Sequence, residues 1–274
     1  MNDDIILIEE NEEKTITTIK LNRLDKKNAL NYDLFAGISN ALDKVEQTDT
    51  RVVIITGGED IFSAGIDLKM LTGQDLPEGV ELPDLRQPRH FRYWMNTWLQ
   101  NIFHKIEKIE KPVIAKIKGH CLGSGFELAL ACDFRFALES AQFCMPETKL
   151  GMNPDVTGTI RLTRIVGISD AKDIILTGRT FNGKEAYRLG VINGVAKDSD
   201  ELEGIIRNYT YELIESAPLA IGLSKRLIDY CYGKDVTLGS ELETLTSSQL
   251  LQTKDFMTGA LSKLQKKKPK WRWK

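Results

Sequence analysis

Two glutamates, Glu127 and Glu147, stand in sequence settings that suit acid–base chemistry at a carbonyl compound. Glu127 follows the glycine-rich segment 119–125 and lies in the first turn of a predicted apolar helix. Glycines permit close backbone approach and positive φ angles, and a helix start leaves N–H groups free to hold an oxygen anion. Glu147 comes twenty residues later, directly after Pro146. An anion-holding turn beside two acids predicts proton transfer at the carbon next to a carbonyl group.

Burial is expected to separate the pKa values of these two carboxyl groups. Glu127 is flanked by Phe126 and by the apolar residues 128–131. Apolar surroundings raise the pKa of a carboxyl group, and two neighbouring acids titrate in separate steps. We therefore expect one protonated and one ionised carboxyl group near neutral pH. The alternative is an ordinary solvated position for each, as most glutamates have.

The composition is that of a globular protein. The 274 residues carry a net charge of −2, with 42% hydrophobic and 28% charged residues, which fits one large domain or a core with a C-terminal extension. This charge gives no general attraction to nucleic acid or to a membrane surface, and no apolar run approaches the roughly 20 residues that span a bilayer. The four cysteines lack paired spacing, and the acidic start differs from a targeting peptide. We therefore expect a cytoplasmic protein.

Strand-like and helix-like segments alternate through the first two-thirds of the chain. Short apolar and β-branched runs between turn residues predict strands, and apolar residues every three or four positions over 34–45 predict a helix. The predicted strands are 5–8, 15–21, 51–56, 112–117 and 133–137. From about Ser169 onward helical patterns dominate, with a short apolar segment at 191–195. This order fits stacked strand–strand–helix turns.

A loop and an aromatic segment follow one another in the middle of the chain. Residues 72–89 are rich in proline, glycine and acids, which predicts a mobile surface loop. Residues 91–103 are heavily aromatic and predict a helix whose rings pack in the core or against another subunit.

Six motifs occur in an order that resembles the crotonase (enoyl-CoA hydratase/isomerase) superfamily. They are Asn28-Ala29-Leu30-Asn31, Phe62-Ser63-Ala64-Gly65-Ile66-Asp67-Leu68, the segment 119–133, Pro146-Glu147, Gly158-Thr159-Ile160-Arg161-Leu162 and Leu176-Thr177-Gly178-Arg179. One such motif would be weak, but six in order are specific. The resemblance extends from about Ile5 to the C-terminal tail.

This resemblance implies an α/β fold, a crotonase-like ββα superhelix with a helical C-terminal region. The spiral core with the active site would occupy residues 1–197, and residues 198–274 would form a helical region for trimerisation or as a lid. A homotrimer or a dimer of trimers is implied, and the substrate would be an acyl-CoA thioester. Neither a metal nor a separate cofactor is implied, because coenzyme A is part of the substrate and the thioester is itself the electron sink.

The resemblance also implies the members of the site. The backbone amides of Ala64 and Ser124 would hold the thioester oxygen, and Ser124 stands where the family more often has glycine, so its side chain must point away from the thioester. The family's segment after Asp67 lines the acyl pocket, and its length here suggests a substrate beyond the shortest acyl chains; a tolerated surface insertion is the alternative. The residues assigned to substrate and coenzyme A are Lys26, Asn28, Ala29, Leu30, Ala64, Gly65, Ile66, Asp67, Leu68 and Gly123.

Three functions remain open at this point. The first is hydration of a trans-2-enoyl-CoA, as in fatty-acid β-oxidation, with Glu127 activating water and Glu147 handling the proton at the α carbon. The second is dienoyl-CoA isomerisation by Glu147 and Asp155, because Asp155 lies eight residues after Glu147, as the third acid of that branch does. That branch carries aspartate where this chain has Glu127, and Asp155 could equally cap a turn. The third is a CoA-thioester-binding protein without catalysis, which two intact glutamates disfavour.

Other candidate sites are weaker. Segment 178–185 resembles a phosphate-binding loop, but Glu185 replaces the required hydroxyl residue. The sequence around Ser124 lacks the glycines of a nucleophile elbow, and the three histidines lack metal-ligand spacing. The basic tail from Lys263 onward, with Trp271 and Trp273, is expected to be a solvated end; contact with a coenzyme A phosphate is the second expectation.

Overall fold

The computed structural model describes residues 5–81 and 86–273 of the chain. It confirms the predicted α/β architecture with a helical C-terminal region. Two sheets, one of six strands and one of four, are surrounded by helices. No helix in the described ranges is long and apolar enough to cross a membrane.

The larger sheet contains the five strands that the sequence predicted. Its strands, in spatial order, are β1 (Ile6–Glu10), β2 (Ile16–Leu21), β3 (Val52–Thr56), β5 (Val113–Ile117), β7 (Phe134–Leu138) and β10 (Gly194–Ala196). β1 and β2 are antiparallel, and all later pairs are parallel. β3 is buried along its whole length, which is why its sequence is a continuous apolar run. The predicted segment 191–195 contributes only its end to β10.

The smaller sheet is made of short strands that follow the strands of the larger sheet. They are β4 (Ile61–Ser63), β6 (His120–Leu122), β8 (Gln142–Cys144) and β9 (Phe181–Asn182). β3, β5 and β7 lie in the larger sheet, and the strand after each of them lies in the smaller sheet. The chain therefore winds as a spiral, as the predicted strand–strand–helix order requires.

The helices of the first half position the sheets and the later site. The first, α1 (Tyr32–Glu46), matches the predicted helix and is capped by the Asn31 side chain, which accepts from the Leu34 N–H. After the short helix α2 (Leu68–Leu71), the aromatic segment runs through α3 (Pro88–Trp94), a π-helical turn (Met95–Leu99) and α4 (Gln100–Lys108). Part of the predicted loop 72–89, residues 82–85, lies outside the described residues.

The aromatic segment packs into the core at its C-terminal half. Phe103 is fully buried, and the Trp98 ring stacks on Tyr32 with the ring centroids 4.6 Å apart. Tyr93, by contrast, is 71% exposed. The predicted core role therefore holds for part of this segment only.

Helices dominate the chain after Ser169, as the sequence predicted, but the helix that contains Ser169 begins earlier. α6 (Gly158–Thr177) follows α5 (Ser124–Ala131) and starts eleven residues before Ser169. Gly167 interrupts it with φ 80°, a conformation that glycine adopts without strain. The second half of α6 is thus the helix that the pattern revealed. The remaining helices are α7 (Gly183–Arg188), α8 (Ser199–Glu215), α9 (Pro218–Cys231), α10 (Val236–Leu250) and α11 (Lys254–Gln265).

The basic tail is docked against the protein through its backbone and its tryptophans, so the expectation of a solvated end holds only for its exposed cationic side chains. The buried carboxylate of Asp255 accepts from the backbone N–H groups of Arg272 at 2.7 Å and Trp273 at 3.0 Å. Lys268 forms an ion pair with Glu215 at 2.7 Å. Sequence composition shows the charge of such a segment but not the residues that it will contact in the fold. A solvated end was therefore the expected interpretation.

Candidate active site

The candidate site lies where three parallel strands of the smaller sheet end. β4, β6 and β8 pair in parallel, so their carboxyl ends meet at one edge. The segment around Ile66 follows β4, Ser124 follows β6, and Glu147 follows β8. The spiral therefore brings together residues that are far apart in the sequence.

A cavity of about 430 Å³ opens at this edge of the sheet. Its polar end is formed by Ala64, Gly65, Ile66, Gly123, Ser124, Glu147 and Asp155. Its wall is largely apolar and includes Leu68, Met70, Leu71, Phe91, Trp94, Met95, Leu99, Leu150, Met152 and Val156. This arrangement suits a ligand with a polar reacting group and an apolar chain.

Glu127, in the first turn of α5, does not line this cavity itself but is hydrogen-bonded to Val156, which does. The residue is completely buried, and its Oε1 accepts from the backbone N–H groups of Val156 at 2.9 Å and Gly158 at 2.7 Å. A Cβ atom on Gly158 would lie 2.6 Å from this oxygen, so only glycine fits there. Glu127 is consequently fixed by a segment about thirty residues later in the sequence.

Glu147 begins a short 3-10 turn after Pro146 and reaches toward the glycine-rich turn. A Cβ atom on Gly123 would lie 2.9 Å from Glu147 Oε1, which explains a residue without a side chain at that point. Glu127 Oε2 and Glu147 Oε2 are buried and have no hydrogen-bond partner within the described parts of the chain. Buried carboxylate oxygens need partners, so both are available to a substrate or to water.

The environments of the two acids separate their pKa values, as the sequence predicted. Burial, followed by the negative charge of Glu147, raises the pKa of Glu127 to about 8. Burial, with a smaller contribution from Asp155, raises the pKa of Glu147 to about 6. Near neutral pH the pair therefore holds one proton.

Asp155 is the third acid of the cavity. It lines the cavity with Glu147, and burial raises the pKa of its carboxyl group. Its backbone carbonyl accepts from Gln100 Nε2 at 2.8 Å, which ties the segment that carries it to α4. The three acids named from the sequence are thus brought together.

The expected oxyanion donor Ala64 is not free. Its backbone N–H donates to the carbonyl of Lys27 at 3.0 Å, so the expectation that this amide binds a thioester oxygen is wrong. Leu30 and Ile66 form a parallel bridge, in which the Leu30 N–H donates to the Gly65 carbonyl and the Asp67 N–H donates to the Leu30 carbonyl. That pattern leaves the Ile66 N–H pointing away from Leu30, and it has no acceptor among residues 5–81 and 86–273. The sequence identified the correct motif for the donor, but the donor lies two residues later than expected. Only the pairing with residues 27–30 shows which backbone N–H in this motif has no acceptor.

The second expected donor, the Ser124 N–H, does remain at the site. It stands at the start of α5, after Gly123 with φ 50°, and it has no acceptor in the described ranges. The two donor segments touch, since a Cβ atom on Gly65 would lie 3.3 Å from Ser124 N. Ser124 is buried, and a hydrogen bond from its side chain lowers the pKa of Glu127 but is outweighed by burial of that carboxyl group.

The residues assigned to coenzyme A fall into two groups. Ala64, Gly65, Ile66, Leu68 and Gly123 line the cavity. Lys26, Asn28, Ala29, Leu30 and Asp67 lie outside it, where several of them hold the backbone: Asn28 is buried and donates to the Phe62 carbonyl at 3.1 Å. Asp67 forms an ion pair with Arg23 at 2.6 Å. Lys26 is exposed and pairs with Asp25 at 3.5 Å.

The apolar wall was only partly foreseen. The segment after Asp67, to which the sequence pointed, contributes Leu68, Met70 and Leu71 of α2 to the wall. The rest of the described wall in this region comes mainly from α3 and the π-helical turn. Phe91, Trp94, Met95 and Leu99 form one side of it, although the aromatic helix was expected to serve packing alone. The available signal was its position directly after the expected pocket loop.

A larger cavity, of about 570 Å³, lies between the end of α5 and helix α9. Its lining includes Cys132, Asp133, Arg161, Lys225 and Tyr232. Lys225 and Asp133 form an ion pair at 2.8 Å. We place the active site in the smaller cavity because Glu147, Asp155 and the two N–H groups without acceptors in the described ranges line it, and Glu127 is close to both acids. In the described part of the chain, no group of three His, Cys, Asp or Glu side chains is arranged to hold a metal ion.

Comparison with known proteins agrees with this geometry. The family model for enoyl-CoA hydratase/isomerase matches residues 11–274. The chain is 33% identical over 256 residues to a short-chain-enoyl-CoA hydratase of Clostridium acetobutylicum, covering 92% of this chain and 93% of that protein. It is 33% identical to a crotonyl-CoA hydratase of Syntrophomonas wolfei, covering 96% of each. The crystal structure of an enoyl-CoA hydratase from Bacillus anthracis superposes with a TM-score of 0.86 at 32% identity, covering 98% of this chain and 100% of that one.

The spiral fold and the paired acids define a crotonase-type CoA-thioester enzyme. The chain belongs to the enoyl-CoA hydratase/isomerase family.

Proposed function

We propose that the protein hydrates trans-2-enoyl-CoA thioesters. The observation that carries this proposal is the pair Glu127 and Glu147, which share one proton and each present a buried oxygen without a partner among the described residues. Both lie near the N–H groups of Ile66 and Ser124, which have no acceptor in the part of the chain that the structure describes. Addition of water across a conjugated double bond needs a base for water, an acid for the α carbon and a site for the enolate oxygen.

In this proposal the N–H groups of Ile66 and Ser124 hold the thioester oxygen as it gains negative charge. Loss of one such donor typically costs about 2.7–4 kcal/mol of transition-state stabilisation. The coenzyme A part would lie along segments 28–30 and 64–68, using backbone groups, because the Asn28 and Asp67 side chains are occupied in holding those segments. The acyl chain would enter the apolar part of the cavity.

The reaction is balanced within the acid pair. Glu127 takes a proton from water through its free Oε2, the water oxygen bonds to the β carbon, and Glu147 gives its proton to the α carbon. The pair holds one proton before and after the reaction. In the free enzyme the higher pKa places that proton mainly on Glu127, so transfer to Glu147 through the bound water precedes the addition.

The alternative reaction is dienoyl-CoA isomerisation by Glu147 and Asp155. The presence of Asp155 in the cavity, with a raised pKa, favours it. Replacement of Asp155 by Asn separates the two reactions. We expect this variant to retain hydration within a few-fold, because Glu127 and Glu147 are intact, and any isomerisation that depends on two acids to fall by about 10²–10⁴-fold.

The direct test follows the conjugated-enone absorbance of trans-2-enoyl-CoA thioesters mixed with the purified protein. The relatives are named for short-chain and crotonyl substrates, so the panel starts at crotonyl-CoA and extends to longer and aryl chains. Loss of absorbance with a 3-hydroxyacyl-CoA product is the expected result. Stable absorbance across the panel would contradict hydration and would point to isomerisation or to a catalytically silent CoA-binding protein.

Several further features remain proposals. We propose residues 1–197 as the catalytic core and residues 198–274 as the region that joins subunits into a trimer or a dimer of trimers. Light scattering after gel filtration would measure that state. Four free cysteines, three of them buried, support the proposal of a reducing, cytoplasmic location, and fractionation of cells would test it.

A further inference from the structure

The segment that holds Glu127 has a strained backbone. Val156 and Gly158 both donate to Glu127 Oε1, and Thr157 between them has φ 71° and ψ 10°. A β-branched residue in the left-handed region is a true outlier, and such strain persists only where the surroundings enforce it. Here it turns two successive donors toward one oxygen, as in anion-binding backbone nests.

The Arg161 side chain contacts this strained segment directly. Its Nη1 donates to the Val156 carbonyl at 3.0 Å and also to the Thr157 hydroxyl. The side chain is 6% exposed, and its Nε donates to Glu107 Oε1 at 2.6 Å. The guanidinium plane is therefore fixed on one side by a carboxylate and on the other by the strained segment.

Glu107 is a permanent anion in this arrangement. Burial alone would raise the pKa of Glu107, but hydrogen bonds from His104 and Arg161 outweigh it and lower the pKa to about 2. His104 Nδ1 lies 2.9 Å from Glu107 Oε2. Glu107 and Arg161 line the larger cavity and not the cavity of the acids, so neither can contact the substrate there.

We propose that the Glu107–Arg161 pair positions the catalytic carboxylate, by clamping Thr157 in the left-handed conformation that aims the Val156 and Gly158 N–H groups at Glu127. The inference rests on the proposed role of Glu127. Arg161 and Glu107 are positioning residues, since they act through the backbone of residues 156–158.

Loss of the contacts between Arg161 and residues 156–157 changes the pKa of Glu127 in a defined direction. N–H donors stabilise the ionised carboxylate, so the pKa of Glu127 rises when they move away. The other charged groups facing Glu127 are Glu147 from the turn after β8 and Asp155 from the segment before α6. On the far side of the clamp, Asp229 of α9 faces Glu107 and Arg161.

The test replaces Arg161 by Lys, which keeps the charge but cannot hold Glu107, Val156 and Thr157 together. The protein is labelled with carboxyl-¹³C glutamate, and the NMR signal that is lost in Glu127→Gln is assigned to Glu127. The pH dependence of that signal measures the pKa of Glu127 directly. We expect its pKa to rise. In hydration of crotonyl-CoA we expect kcat to fall by on the order of a hundredfold, with KM nearly unchanged because no contact to coenzyme A is lost.

Arg164→Gln is the matched control. Arg164 is one turn further along α6 and lines the same larger cavity, but its guanidinium lies over the Tyr232 ring, 5.4 Å from the ring centroid. This variant removes a nearby cation but keeps the contacts of Arg161 with Glu107 and with residues 156–157. It should retain the wild-type titration and the wild-type kcat.

A rescue variant separates positioning from general destabilisation. Glycine adopts a positive φ without a clamp, so Thr157→Gly in the Arg161→Lys background should restore the titration of Glu127 and much of kcat. An unchanged Glu127 titration in Arg161→Lys overturns the inference, and so does a double variant that shows no recovery. If the wild type hydrates no enoyl-CoA while the titration shifts as expected, the clamp stands and the proposed function fails.

Discussion

At the scale of single residues, the site depends on two glutamates with different surroundings. Glu127 is fully buried and meets two backbone N–H groups, whereas Glu147 faces the cavity. Their types and neighbours were sufficient to predict a split titration from the sequence. The backbone donor could not be predicted in the same way, because the choice between Ala64 and Ile66 depends on hydrogen bonds to a segment more than thirty residues earlier.

Replacement of Glu147 by Gln should remove most turnover. The amide has nearly the same shape but cannot exchange a proton with the α carbon, and proton transfer of this kind contributes about 10²–10⁴-fold. The initial rate of hydration and the binding of a saturated acyl-CoA, measured by calorimetry, check the prediction; binding should be retained.

A matched control for this variant is Glu139→Gln, since Glu139 pairs with Lys184 at 2.8 Å and does not line the cavity. It should hydrate like the wild type. Undiminished turnover in Glu147→Gln would remove Glu147 from the mechanism.

The pH dependence of kcat/KM should be bell-shaped. Activity rises as pH increases through about 6, where the pair loses its first proton and gains a base. It falls as pH increases through about 8, where the remaining proton and with it the acid are lost. Initial rates at low crotonyl-CoA concentration over this range measure both limbs, and a profile that is flat from below 6 to above 8 would contradict the shared-proton pair.

At the scale of elements, β-branched and apolar runs predicted the first five strands of the larger sheet to within one or two residues, because tertiary contacts and local preference agree there. The short strands of the smaller sheet were not predicted. The first half of α6 was not predicted as a helix, because Gly167 interrupts α6 and the N-terminal residues of α6 contribute to the site. The sequence also did not predict which aromatic residues of segment 91–103 line the cavity and which fill the core. A ring that lines a cavity and a ring that fills the core have the same sequence signature.

Replacement of Trp94 by Ala should shift the acyl preference toward longer or bulkier chains. The Trp94 ring lines the cavity and rests against Trp98, with ring centroids 5.6 Å apart, so truncation widens the apolar wall without touching the acids. The ratio of kcat/KM for a long chain to that for crotonyl-CoA should rise about tenfold, within the 1–3 kcal/mol that a change in a hydrophobic pocket provides.

Tyr93→Ala tests the same helix on its exposed side, since Tyr93 is 71% exposed and does not line the cavity. This control should leave the ratio at the wild-type value. An unchanged ratio in Trp94→Ala would place the acyl chain elsewhere.

At the scale of the whole molecule, the C-terminal tail ties the last helix to the first part of the fold. The Trp273 ring lies under Arg51 and Lys111, each 5.5 Å from its centroid. The Trp271 indole N–H donates to the Glu215 carbonyl at 2.9 Å. The tail therefore connects α11, α8 and the strands of the larger sheet.

Deletion of residues 267–274 should lower the free energy of unfolding by about 1–3 kcal/mol, because it leaves the buried Asp255 carboxylate without its N–H donors. The urea midpoint, with hydration activity as a second readout, measures the effect. Lys267→Ala, an exposed side chain in the same tail, should match the wild type, and equal midpoints for the deletion and the wild type would show that the docking contributes no stability.

Much of the acyl wall and most of the reacting groups belong to different stretches of the polypeptide. Much of the wall is encoded between β4 and β5, whereas the acids and the Ser124 donor are encoded after β5. Variation in one stretch of a gene can thus change the acyl preference of the enzyme while the reaction stays the same. Duplicated copies of such a gene could diverge in the acids that they consume while the proton transfers stay the same, and a segment exchanged between two relatives would carry its preference with it.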